Sequence, residues 1–245
     1  MLPVLIFTVG LALLVFSSFH LWQIFRDNAL AQEEYAVLRD IRMAILPDVV
    51  FDAEQTDTPS QEFIPEDAGD LMQELLALNP DFVGWIQIPG TAVDYPVVRG
   101  ADNAQYLHTT FSGTYNPAGS IFMDYRAVDG FDTAVTILYG HNMRDGSMFA
   151  ALHDYLEPGF VLRHPAITVV TVDGARLTYR IFDVRMTDAW DPAYMLDFGD
   201  SQAAADFFTT APPGSNRFLV LSTCYGTSGP ARVLVLAALT DALEV

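Results

Sequence analysis

The sequence predicts a mainly β domain that closes into an eight-stranded barrel, set behind an apolar N-terminal segment. Three observations predict it. From Asp81 the chain breaks into eight short β-rich runs, 83–88, 93–98, 119–123, 133–139, 166–172, 176–186, 217–223 and 232–239, bounded by Gly, Pro, Asn or Asp. Asp173-Gly174, between the fifth and sixth runs, is a hairpin signal. The runs carry one longer helical insertion, in 187–216, rather than the strand–helix alternation of a parallel sheet, so closure of the sheet on itself fits better.

The elements follow in order. Met1 to Phe25 contain no Asp, Glu, Lys or Arg and are mostly Leu, Val, Ile, Phe and Ala, long enough to cross a bilayer as one helix. A cleaved signal peptide is the runner-up reading, but the stretch lacks a basic start and no small-x-small pattern follows it. The neighbouring charges, Arg26, Asp27, Arg39 and Arg42, all lie after the segment, which by the positive-inside rule favours a cytoplasmic C-terminal side. An external domain therefore expects further basic residues upstream of Met1. Leu30, Tyr35, Leu38, Ile41 and Ile45, spaced by three to five residues, predict a helix leaving the membrane over 28–47. Residues 48–66 are acidic and broken by Pro59 and Pro65, and read as a linker. Asp67 to Leu78 reads as a short amphipathic helix with Leu71, Leu75 and Leu78 on one face. The barrel runs come next, with a helix over Ser201–Thr210 inside the long interruption. The expected domains are an anchor over 1–25, a helix and acidic linker over 26–66, and a folded domain over 67–245.

Composition narrows the function. At 245 residues, 51% of them hydrophobic, the chain can bury a sizeable core. A net charge of −19 excludes a nucleic-acid partner, which needs a basic face to neutralise phosphates. All 12 basic residues are Arg, so any step that uses a lysine amine of this chain is excluded. The lone cysteine, Cys224, rules out an internal disulfide framework.

Cys224 ends the apolar run Phe218-Leu219-Val220-Leu221-Ser222-Thr223, His141 closes the run from Thr136 to Gly140, and Arg232 opens the run Val233 to Leu239. A thiol is a strong nucleophile only as thiolate and needs a nearby cation or base. An imidazole titrates near neutrality and serves as base for a thiol or acid for a leaving amine. A guanidinium is permanently charged and holds an acyl oxygen or a developing oxyanion through forked donors. Together the three suit acyl transfer through a thioester. Each has a plainer reading, as a buried structural thiol, a strand-end histidine or a surface arginine. His20, His108, His153 and His164 show no ligand spacing and read as structural, Trp85 as a core residue, and Tyr139 as facing either a groove or the core. No acidic loop has metal-ligand spacing, and neither metal nor cofactor is expected.

Four blocks carry a family resemblance. They are Gly84-Trp85-Ile86-Gln87-Ile88-Pro89-Gly90-Thr91 with Val93-Asp94-Tyr95-Pro96-Val97-Val98; Asp102-Asn103, Tyr106-Leu107 and Gly119 to Arg126; Tyr139-Gly140-His141-Asn142-Met143-Arg144-Asp145-Gly146-Ser147-Met148-Phe149; and Leu221-Ser222-Thr223-Cys224 with Arg232 downstream. From about Asp81 to Leu239 the chain resembles the class B sortases, membrane-anchored cysteine transpeptidases of Gram-positive bacteria. The resemblance implies an eight-stranded barrel with N-terminal helices and a helix inserted between the sixth and seventh strands. It implies Cys224 as nucleophile on a Thr-Gly-type bond of a C-terminal sorting signal, His141 as general acid/base, and Arg232 as the group that orients substrate and steadies the oxyanion. Asn103, Leu107, Tyr139, Ser222 and Thr223 then belong to the substrate groove. The implied partners are the sorting-signal peptide and an amine acceptor, either a peptidoglycan precursor or a pilin. The implied location is the cell membrane, single-pass, with the catalytic domain outside. Tyr225 departs from the acidic residue often found after the cysteine in enzymes of this class that recognise an Asn-Pro-type signal, which leaves the sorting motif open. A hydrolytic peptidase with the same site and an idle peptide-binding module are the rival readings.

Overall fold

The computed structural model describes residues 2–45, 68–196, 198, 201–226 and 229–243; the expected linker over 48–66 lies outside them. Helix α1 (Leu2–Ile45) precedes α2 (Ala68–Leu78), and the barrel strands are β1 (Phe82–Gln87), β2 (Asp94–Val98), β3 (Ile121–Met123), β4 (Val135–Tyr139), β5 (Ala166–Thr171), β6 (Arg176–Asp188), β7 (Phe218–Cys224) and β8 (Ala231–Leu243). The one-turn helix α3 (Phe160–Arg163) leads into β5, and α4 (Ser201–Phe207) lies between β6 and β7, where the inserted helix was expected. The strands close in the order β1-β2-β3-β4-β7-β8-β6-β5. Two neighbouring pairs, β2–β3 and β4–β7, are parallel and the rest antiparallel, so the barrel is mixed.

The continuous apolar runs of β4, β7 and β8 have a physical cause. Side chains alternate between the two faces of a strand. Leu138, Leu219, Leu221, Val233, Val235 and Ala237 fill the main core, whereas Val135, Ile137, Phe218, Val220, Leu234 and Leu236 join a second cluster on the opposite face. That second face is covered by the β6–β7 insertion through Ala193, Ala204 and Phe208, with the Phe208 and Phe218 rings 4.8 Å apart. Strands buried on both sides read as unbroken hydrophobic runs.

Two helical expectations need correction. Among the described side chains of α2 the buried ones are Met72 and Leu75, whereas Leu78, expected on the same face, is 64% exposed; Leu71 lies outside the described side chains. On α1 Leu30 is exposed; the covered stripe is Ala31, Tyr35, Leu38 and Arg42, at spacings of three and four. This stripe is bonded as well as packed. The Tyr35 hydroxyl donates to the Gly119 carbonyl at 2.7 Å, and Arg42 pairs with Asp94 at 3.1 Å. Asp94 also accepts from the Trp85 indole at 2.6 Å, in the core as expected for that residue. The helix runs unbroken through Arg26 and Asp27. Among the described residues, one helix, over Ile6–Met43, is long and apolar enough to cross a membrane by length and composition, and its residues from Ile6 to Trp22 are all exposed.

Candidate active site

The topology brings Cys224, His141 and Arg232 to one end of the barrel. In the parallel β4–β7 pair Leu138 faces Leu221 and Tyr139 faces Ser222. The same offset of 83 residues sets His141, two positions past β4, level with Cys224 at the end of β7. Parallel strands point their C-terminal ends the same way, so a residue after each arrives at the same rim. On the other side of β7 the antiparallel ladder puts Arg232 directly opposite Cys224. Their side chains border one cleft of about 310 Å³, together with Leu107, Tyr139, Ser222 and Thr223. Cys224 is free and half-buried.

The imidazole of His141 is fixed by backbone. Its Nε2 lies 2.7 Å from the Leu107 carbonyl oxygen. A carbonyl only accepts, so Nε2 carries the hydrogen and Nδ1 of the neutral ring is left as the acceptor. Burial pushes the His141 pKa below its usual 6.5; the Leu107 bond opposes this, and His108 adds to the lowering. His108 stacks on His141 with ring centres 5.6 Å apart and planes 9° from parallel. Gly119, at φ +57°, is required beside this contact, since a Cβ there would lie 2.5 Å from the Leu107 oxygen. Gly140 is equally confined, because a Cβ would meet Ile121 and Phe149 at 2.5 and 2.7 Å.

The remaining expected residues have distinct places. Thr223, buried, donates its hydroxyl to the Gly140 carbonyl at 2.8 Å and ties β7 to the backbone that carries His141. Ser222, buried, shares a 2.8 Å hydroxyl contact with Tyr194. Tyr139 lines the cleft and donates to Asp124 at 2.9 Å; burial and that carboxylate together hold its phenol far above the usual range. Asn103 does not border the cleft. Its amide donates to Asp124 at 3.0 Å, and its carbonyl oxygen accepts from the Tyr125 N–H. Asp124 is fully buried, which works to raise its pKa, but the forked Arg126 bonds with Asn103 and Tyr139 outweigh burial and hold it at about 2. Arg232 donates to the carbonyls of Gly229 and Ala231.

Sequence reasoning missed several neighbours. Tyr194, from the β6–β7 insertion, and Phe122 also border the cleft. Tyr194 stacks on Tyr139 with planes 10° apart at 6.3 Å. His108 and His153 do more than fill space near the site: His153 Nε2 lies 3.0 Å from the Cys224 carbonyl, and its ring stacks on Tyr225. The Leu107-His108 pair was a local signal for His108. For His153 and Tyr194, 71 and 28 residues from their partners, none existed.

Comparison with known proteins places this geometry in context. Residues 86–240 match the family model of the sortase domain. The chain is 46% identical over 168 residues to sortase B of Listeria monocytogenes, covering 63% of this chain and 67% of that protein. It is 33% identical over 163 residues to sortase B of Staphylococcus aureus, covering 62% and 66%. These matches span about two thirds of each relative's length. A solved Staphylococcus aureus sortase B–substrate complex superposes with a TM-score of 0.70 at 26% identity, over 88% of this chain and 99% of that one.

Proposed function

The chain belongs to the sortase family as a sortase B-type transpeptidase, and from that premise we propose that it acts outside the cytoplasmic membrane, held there by residues 1–25. Its substrate is a surface protein with a Thr-Gly-type C-terminal sorting signal, which it transfers to an amine of a peptidoglycan precursor or a pilin. The observation that carries this reading is the meeting of thiol, imidazole and guanidinium at the rim of one cleft. The solved Staphylococcus aureus relative is a substrate complex, which supports a peptide seat on this barrel.

Cys224 gives its proton to Nδ1 of His141, and the thiolate sulfur adds to the scissile carbonyl carbon. Arg232 holds the oxyanion that develops on that carbonyl. The C–N bond then breaks, and the proton on Nδ1 passes to the departing amine, leaving a thioester on Cys224. The acceptor amine attacks the thioester and its proton goes to Nδ1 of His141; the C–S bond breaks, and His141 passes that proton to the departing sulfur, which restores the thiol and the neutral ring. A depressed pKa keeps His141 neutral at pH 7, ready to take the first proton. Tyr194, Tyr139 and Leu107 form the wall against which the signal peptide lies.

The test is incubation with Thr-Gly sorting peptides, with and without an amine acceptor, followed by mass spectrometry. The expected result is an acyl adduct on Cys224 that becomes an amine-linked product, absent in Cys224→Ala. Release of only the free acid, even with amine present, would replace the transpeptidase by a hydrolase. Full cleavage by Cys224→Ala would end the mechanism.

A further inference from the structure

We propose that the barrel loop Ser112–Pro117 rests on the bilayer surface with Tyr115 among the lipid headgroups, holding the His108 side of the cleft close to the membrane. This rests on the reading of residues 1–25 as the membrane anchor. Three independent observations lead there.

The first is continuity. Helix α1 has no break between its apolar half and the half packed on the barrel, so the barrel cannot swing away from the membrane about a joint within it. The second is where the barrel grips this helix. The Asn116 side chain donates to the Asp27 carbonyl at 2.6 Å, and the Ser112 N–H donates to the Glu34 carboxylate at 2.8 Å. Asp27 is one residue past Arg26, the first charge after the apolar run, and Gln23, a turn earlier, is already half-covered. The Arg42–Asp94 pair lies 15 residues further along, about 22 Å at 1.5 Å per residue. The loop is therefore the membrane-proximal edge of the barrel, and the Asp94 end is the distal one.

The third observation is the loop's own chemistry. The chain carries 31 acidic and 12 basic residues, yet from Asn103 to Met123 there is no Asp, Glu, Lys or Arg. The loop thus brings no charge of its own to a lipid surface; the charges at this edge are those of α1, where Arg26 pairs with Asp27 and the Glu34 carboxylate accepts from the Ser112 N–H. Tyr115 is 76% exposed, an apolar ring with a hydroxyl tip of the kind that settles at the membrane–water interface. Its ring contacts His108 at 6.1 Å, and His108 stacks on His141, so an aromatic row runs from this edge to the cleft.

The single cysteine makes the test direct. In the full chain with Cys224→Ala, a nitroxide is attached at Tyr115→Cys, Thr114→Cys, Ala92→Cys or Trp22→Cys, and the protein is placed in nanodiscs of phosphatidylglycerol and phosphatidylcholine. Collision rates with oxygen and with a water-soluble nickel chelate then report depth. The expected order is Trp22→Cys in hydrocarbon, Tyr115→Cys and Thr114→Cys at headgroup depth, and Ala92→Cys in water. If the labels at 114 and 115 are as aqueous as that at 92 while the label at 22 is in hydrocarbon, the proposal is overturned and the anchor stands. If the label at 22 is also aqueous, the anchor reading fails and the proposal falls with it.

Discussion

At His141 a carbonyl fixes the ring, and a second imidazole lies flat against it. Backbone is a steady partner: the Leu107 oxygen carries no proton of its own at any working pH, so the tautomer it selects does not change across the titration of the site. Charge on His108 opposes protonation of His141. Replacing it by glutamine removes that opposition, so the His141 pKa rises. The base form then survives less far into acid, and the acid limb of the kcat/KM profile for His108→Gln moves to higher pH. A pH–rate series on the wild-type and the variant checks this; an unmoved or lowered limb would mean that His108 is electrically silent. The sequence singles out Cys224 and Arg232 because each stands where an apolar run ends or begins, and the β7–β8 register sets them opposite each other. Asn103, assigned to the groove by resemblance alone, lies off the cleft because it is bonded to Asp124, 21 positions on and just past β3, a contact that no local pattern announces.

At the scale of elements, all eight strands could be read from the chain because each is a short β-rich run, most of them bounded by Gly, Pro, Asn or Asp. Their lengths could not. β6 reaches Asp188 and β8 reaches Leu243, since polar residues such as Thr187 and Asp241 keep pairing where an apolar pattern has stopped. The helix faces on α1 and α2 were read by spacing alone, and spacing does not say how wide a stripe a curved barrel will cover. The β6–β7 insertion has two duties. It seals the outer face of β4, β7 and β8 with Phe208, and it delivers Tyr194 to the cleft. Truncating Phe208 to Ala removes a buried ring that contacts Phe218 and Phe182, and the expected loss is about 3–5 kcal/mol of unfolding free energy. Denaturant titration of the variant measures it. A loss below about 1 kcal/mol would mean that the insertion is only loosely seated.

For the whole molecule, α1 belongs to two bodies at once. Its first half is exposed and apolar, and its second half is a structural part of the barrel through Tyr35, Leu38 and Arg42. A chain beginning at residue 27 should therefore fold as the full protein does. One beginning at residue 46 should be less stable, because Tyr35 and Leu38 each bury a side chain worth about 1.5–3 kcal/mol. Denaturation midpoints of the two fragments decide the matter, and equal midpoints would show that α1 is a passenger. The double-sided burial of β4 and β7 reaches further than packing. Strands sealed on both faces give up their amide hydrogens only when the whole domain opens. Cys224 ends β7, and His141 follows β4 by two residues with Gly140 bonded to Ser222 and Thr223, so their alignment is as durable as the fold itself. Heating would then leave each molecule either fully competent or unfolded, with no softened, half-active form in between.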